Sequence, residues 1–241
     1  MTQEFIGTLA GITQPNISRL LTKMCGLIEK AADPSLATYL AHAKADYDKL
    51  TPEQRTNGWD AFLAKYPDLH CVSTDATEQS VHRSKDYDKQ KEAYSGKKRR
   101  HTAKTQLSTA ESGRILDVSD TYPGSVHDKK VLDQENTIEK FPEQTLQRLD
   151  SGYQGTVSEH PQHKVITPIK KAPKKELSSE AKEYNRQHSS KRVVVENAIC
   201  RLKKYKILQY IFRQPLDKYN QVIRDIVALI NFKLFNPQVA V

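Results

Sequence analysis

The chain has 241 residues, 37% of them hydrophobic, with 38 Lys and Arg against 29 Asp and Glu and a formal net charge of +9. This is long enough to bury one large core with a small appendage, and the excess base, gathered in 97–104, 170–175 and 201–206, suits a polyanion as partner. Cys25, Cys71 and Cys200 lie far apart without metal-type spacing, and neither a run near 18 apolar residues nor a signal-peptide pattern occurs; a zinc module, a disulfide scaffold and a membrane span are therefore excluded, and a cytoplasmic, nucleoid-associated location is expected.

In chain order, residues 4–30 carry two helical patterns broken at Gly11, with Phe5, Ile6, Leu9 and Ala10 before it and Ile17, Leu20, Leu21 and Met24 after. Thr13 can cap the second helix and Pro15 fits its first turn, while Gln14, Asn16, Ser18 and Arg19 turn polar groups away from the apolar stripe. This is the layout of a small helix-turn-helix unit over 1–30, minimal or truncated, with Gln14, Asn16 and Arg19 as its DNA-contacting residues; a plain αα-hairpin has the same pattern. Residues 31–69 read as a helical connector, with a helix expected from the Thr51 cap and Pro52 through Trp59, Phe62 and Leu63 to a stop at Pro67.

From residue 70 the period changes to two. Strands are expected at HCVSTDATEQ, ending near Asp75, at 98–109 and at 113–122, the last two joined by a turn at Glu111 to Gly113. Pro123 and Gly124 break the pattern, Ser125 offers a cap, and HDKKVLDQEN forms a helix whose His127 and Asp128 read as structural. A fourth strand, TLQRLD, ends at Asp150, and KVITPIKK (164–171) is a fifth. After a charged excursion with helix from Ser178 comes the helix KRVVVENAICRLKKYKIL, 191–208, and last an amphipathic helix through Tyr219, Ile223, Ile226 and Ile230.

The order strand, strand, strand, helix, strand, helix places the first and fourth strands side by side and parallel, with a meander extending to one side. Asp75 and Asp150 then stand near the carboxyl ends of neighbouring central strands, where open α/β sheets keep their sites. On the helix 191–208, Arg192, Glu196 and Lys203 fall within roughly 40° of one another beside an apolar stripe of Val195, Ala198, Ile199 and Leu202. Taken alone they are a ladder of charge pairs, and an Asp at a strand end is commonly a turn or cap. Together, two strand-end carboxylates and Glu196 from a facing helix make a set of hard oxygen ligands suited to magnesium.

The stretches VSTDATEQ, KEAYSGKKRRHTAKTQ, PGSVHDKKVLD, LDSGYQG and RVVVENAICRLKKYKIL, spanning about 70–210, resemble the DDE transposases of the insertion sequence five family, in the branch related to Harbinger transposases. Its Tyr-Arg-Glu-Lys signature matches Arg192, Glu196 and Lys203, with Ser189 at the Tyr position; Ala76 stands where the family usually has Gly. The resemblance implies an α/β fold: a ribonuclease-H-like mixed five-stranded sheet flanked by helices, forming a catalytic domain over 70–241. It further implies an enzyme that binds insertion-sequence ends as an oligomer on DNA, and that cleaves and transfers strands with two Mg²⁺ ions, for which Mn²⁺ can substitute. Asp75, Asp150 and Glu196 would be its catalytic and metal-binding residues. Arg192 and Lys203 would orient Glu196 and contact phosphate, and Lys97, Lys98, Arg99 and Arg100 with the run Lys170 to Lys175 would line the DNA path. Two rivals share these features: a catalytically inactive DNA-binding derivative of such an element, and a plain metal-dependent nuclease.

Overall fold

The computed structural model describes residues 3–32, 37–171 and 176–235. Helix α1 (Gln3–Ala10) stops where Gly11 takes φ 65°, which lets the Ile12 amide donate to the Gly7 carbonyl at 2.9 Å and the Gly11 amide to Thr8 at 3.4 Å. That double bond pattern is a Schellman turn, and it requires a residue free to adopt a positive φ. Helix α2 (Gln14–Ala32) follows and buries Ile17. Gln14, Asn16 and Arg19 are exposed, with Gln14 donating to Gln3 at 2.8 Å and Arg19 to Asn16 at 2.9 Å.

The stretch before the sheet holds α3 (Ala37–Asp48), α4 (Pro52–Asn57), α5 (Trp59–Lys65) and a 3-10 turn at Pro67–Leu69. The single helix expected from Thr51 to Pro67 is thus two. Thr51 and Gln54 form a reciprocal capping box at the start of α4, and the Gly58 amide closes it on the Gln54 carbonyl at 2.8 Å. A Cβ at residue 58 would meet that carbonyl at 2.6 Å, so only glycine permits the break. Leu40, Tyr47, Phe62 and Leu69 from this stretch share one core cluster with Val72, Leu116 and Phe141.

Thereafter come β1 (Cys71–Ser80), α6 (Tyr87–Ala93), β2 (Tyr94–Ser95), β3 (Arg100–Ala110), β4 (Ile115–Val118), β5 (Tyr122–Pro123), α7 (Asp128–Gln134), β6 (Leu146–Arg148), α8 (Thr156–Glu159) and β7 (Val165–Ile166). The sheet runs β2-β3-β1-β6-β7, with β4 and β5 also paired to β3. β1 is antiparallel to β3 and parallel to β6, as the element order implied. The described sheet has seven strands where five were expected, for identifiable reasons. The 113–122 strand splits into β4 and β5 because Ser119 turns its hydroxyl back to accept from the Gln106 amide at 2.8 Å, and β2 pairs with the start of β3. β1 also runs past Asp75 to Ser80, because β3 continues to pair with it as far as Ser80 opposite Thr102. The α7 cap is His127, whose ring accepts from the Lys129 amide, and not Ser125.

Helix α9 (Ser179–Lys203) starts at the Ser178 cap and crosses the sheet for 25 residues. It ends five residues before the expected Leu208; the chain turns at Lys204 and Tyr205 into α10 (Lys206–Gln209), which brings Leu208 into the same core as Leu202 and Phe212. Helix α11 (Tyr219–Phe235) covers this core with Tyr219, Ile223, Val227 and Ile230, and α2 packs against its far side. None of the described helices is long and apolar enough to cross a membrane.

One polar clamp ties α11 to the sheet: buried Asn231 accepts from the Ile115 amide at 3.0 Å and donates to the Ile115 carbonyl at 2.9 Å. Asn231→Leu keeps the volume but leaves both backbone groups buried and unpaired, which should cost about 2–4 kcal/mol in urea unfolding. A loss under about 0.5 kcal/mol would show that the clamp adds nothing to stability.

Candidate functional site

The last residue pair of the parallel ladder is Ser73 with Arg148, so Asp75 and Asp150 each stand two residues beyond it and come level at the same end of β1 and β6. The two are held differently. Asp75 is in mid-strand, flanked by Leu107 on β3, and its Oδ1 accepts from the Ala76 amide at 2.8 Å. Asp150 caps the 3-10 turn Ser151–Tyr153, where its Oδ1 accepts from the Ser151 amide at 2.6 Å.

Between them lies the guanidinium of Arg192, which reaches across from α9. Its Nη2 is 3.2 Å from Asp75 Oδ2 and its Nη1 is 3.2 Å from Asp150 Oδ1, and the side chain is 8% exposed. Burial pushes the Asp75 carboxyl up, the charges of Asp150 and Asp128 push it the same way, and Arg192 and the Ala76 N–H oppose them. Arg192 therefore bridges the two carboxylates and does not pair with Glu196.

Glu196 sits one turn further along α9 on the same face, exposed, with no hydrogen bond or ion pair among the described residues. Lys203 shares that face but turns inward: its ammonium donates to the Glu78 carbonyl at 3.0 Å and to Gln79 Oε1 at 3.1 Å. Burial, reinforced by Lys98, pulls its pKa down to about 8. Lys97, Lys98 and Arg99 occupy the turn from β2 into β3 and Arg100 opens β3; all four are exposed, and Arg100 reaches Ser80 Oγ at 3.5 Å. Lys170 and Lys171 are exposed, while Lys174 and Lys175 lie outside the described residues, and Gln14, Asn16 and Arg19 sit apart in α2.

Three neighbours of the site were not assigned to it from the sequence. Asp128 pairs with the buried Lys104 at 2.7 Å, Lys104 also bonds the Val126 carbonyl, and Asp128 Oδ2 lies 3.9 Å from where a Cβ on Gly152 would be. Gln106 links the same region through Tyr153 Oη at 2.9 Å and Thr137 Oγ1 at 3.1 Å. Lys104 and Gln106 alternate with Leu107 along β3, so this network braces the Asp150 turn from the face of the sheet opposite Arg192. His188 is 4% exposed, one turn before Arg192, and burial together with the nearby Arg192 and Arg148 holds its pKa below the usual value. Its spacing of four from Arg192 was the available signal.

The carboxylates of Asp75, Asp150 and Glu196 are hard oxygen donors of the kind magnesium or manganese takes, and Asp75 and Asp150 each lie 3.2 Å from the one Arg192 guanidinium. Among the described residues the acidic group whose ligand atoms lie within 4.8 Å of one another is Asp133, Glu159 and His160, near α7 and α8, and not Asp75, Asp150 and Glu196; there Lys129 already pairs with Asp133 at 2.8 Å and Glu159 at 2.6 Å.

Residues 74–231 match the family described as DDE superfamily endonuclease, a span that contains Asp75, Asp150 and Glu196. Over 173 residues, 71% of this chain, the sequence is 34% identical to a protein of Microchaete diplosiphon described as "Probable transposase for insertion sequence element IS702". The chain spans 60% of the length of that relative. No solved structure matches this chain.

The lowered pKa of Lys203 has a measurable consequence. Below pH about 8 the folded and unfolded chains both carry the charge, and the full penalty of burying it is felt; between about 8 and 10.5 the unfolded chain binds the extra proton, so stability rises with pH across that window. Lys203→Met should flatten this rise, by on the order of 3 kcal/mol between the ends of the window, in urea unfolding at matched pH values. Equal pH slopes in the two proteins would mean the ammonium is solvated.

Proposed function

Because the chain belongs to the DDE superfamily endonucleases, we propose that it is a transposase of the insertion sequence five type, Harbinger-related, with a ribonuclease-H-like catalytic domain that cleaves and transfers DNA strands at element ends. The observation that carries this reading is the level placement of Asp75 and Asp150 beyond one parallel strand pair, under the helix that bears Glu196. The mixed sheet with helices on it is compatible with such a domain.

In this reading Asp75, Asp150 and Glu196 hold divalent cations, which when bound supply an activated water and a stabilised leaving oxygen for phosphodiester cleavage. The protein's own part is orientation. β1 and β3 hold Asp75 rigid in mid-strand, the Gln106–Tyr153 bond and the Ser151 amide hold the turn that Asp150 caps, and the apolar underside of α9 sets the height of Glu196. The exposed residues 97–100, near the Ser80 end of β1, offer a phosphate track, and residues 1–30 offer a second DNA contact through Gln14, Asn16 and Arg19. Strand transfer from the freed 3′-hydroxyl then reuses the same carboxylates, and assembly as an oligomer on DNA brings two ends together.

The direct test is whether the purified protein with Mg²⁺ or Mn²⁺ nicks DNA carrying candidate terminal repeats and joins the ends. Asp75→Asn, Asp150→Asn and Glu196→Gln should each abolish cutting and leave DNA binding largely intact, since the phosphate-binding cations lie elsewhere. Binding without cutting by the unaltered protein would favour a DNA-binding derivative, and cutting without joining a plain nuclease. Neutralising Lys97, Lys98, Arg99 and Arg100 together should weaken binding to all DNA sequences and flatten the slope of log affinity against log salt by about 0.9 for each phosphate that is no longer neutralised. An unchanged slope would make the turn merely a solvated one.

A further inference from the structure

The guanidinium of Arg192 lies between the two carboxylates that the proposed function assigns to a divalent cation. It reaches each of them at 3.2 Å, from a side chain that is 8% exposed. A planar fork with two outward N–H edges can satisfy two acids at once, which a point charge on a lysine cannot do equally well. Burial gives this bridge its strength: Asp75 is largely desolvated, and without a nearby cation its charge would face that of Asp150 uncompensated. A cation held by Asp75 Oδ2 and Asp150 Oδ1 must take the place the guanidinium fills, and a dipositive ion and an arginine repel each other in that confined space.

From this geometry we propose that Arg192 is a positioning residue, a tethered cation that holds Asp75 and Asp150 in register and competes with the divalent metal for them. Metal affinity is then the difference between the ion's grip on the carboxylates and the cost of breaking Arg192's two ion pairs. The displaced side chain has a carboxylate within reach, since Glu196 stands one turn further along the same face of α9. The inference rests on the reading of Asp75 and Asp150 as metal ligands.

The competition is read by calorimetric titration of the whole protein with Mn²⁺ in the absence of DNA. Arg192→Gln should bind Mn²⁺ at least about tenfold more tightly than the unaltered chain, equivalent to about 1.4 kcal/mol. Arg192→Lys separates bridging from simple repulsion because it keeps the charge but cannot span both acids; it should also bind more tightly than the unaltered chain, though less so than Arg192→Gln. Arg192→Lys equal to the unaltered protein would reduce the effect to general repulsion and overturn the competition, as would weaker binding by Arg192→Gln. A second measurement does not depend on any variant folding: phenylglyoxal should modify Arg192, mapped by mass spectrometry, faster with Mg²⁺ than with chelator. Equal or slower modification overturns displacement. Asp75→Asn should lose Mn²⁺ binding; if it binds normally, the metal-ligand reading itself fails, which is a different result from any of those above.

Discussion

Two carboxylates brought level at the end of a parallel strand pair repel each other, more so as one of them loses water. The bridge from Arg192 to Asp75 and Asp150 resolves that repulsion, and much of the surrounding architecture serves it. Helix α9 has to cross the sheet at a height where residue 192 reaches both acids, and its buried residues Val195, Ala198 and Leu202 fix that height by packing on the core shared with α11. Asp150 depends on a turn that ends β6, and Asp75 on a strand that does not end there. One acid is therefore rigid by its ladder and the other by its cap, and a single cation joins them.

The basic residues divide by the same logic. The run 97–104 looks uniform in sequence, yet it changes role between Arg100 and Lys104. The first four cations, in the turn and at the start of β3, are exposed, while Lys104, only 6% exposed, is drawn under the sheet to pair with Asp128. Lys203 is likewise taken inward, to the β1 carbonyl of Glu78. A net charge of +9 thus overstates the base available to a polyanion, because some lysines turn inward to protein acceptors. Desolvation is tolerable for these lysines because each finds oxygen acceptors at once.

Residues 37–69 contribute aromatic side chains, among them Tyr47 and Phe62, to the cluster that covers one side of the sheet, so they are built into the fold. The first two helices are covered less completely, although α2 packs on α11. They bury Ile17 against the chain but leave Leu9, Leu20, Met24 and Leu27 exposed at 71%, 46%, 47% and 55%, an apolar surface that the rest of the described chain does not cover.

Local patterns carried much of this protein without any tertiary information. The change of period at residue 70, the turn before Gly113, the Ser178 and Thr51 caps and the parallel pairing of β1 with β6 follow from side-chain spacing, cap chemistry and crossover handedness, all of which act over a few residues or by simple order. The shared face of Arg192, Glu196 and Lys203 is equally a matter of helical angle. What each of those side chains touches was not legible, because a helical wheel gives direction and not depth. Whether Arg192 turns to Glu196 or to the two aspartates, and whether Lys203 faces solvent or the Glu78 carbonyl, depends on how closely α9 settles on the sheet. The same holds for Asp128, which looks like a first-turn residue until Lys104 is brought beneath it by β3. Spacing along the chain determined which residues share a face; only the packing of α9 and α7 on the sheet decided which charges meet, because ion pairs in low dielectric are selected by distances that no local pattern contains.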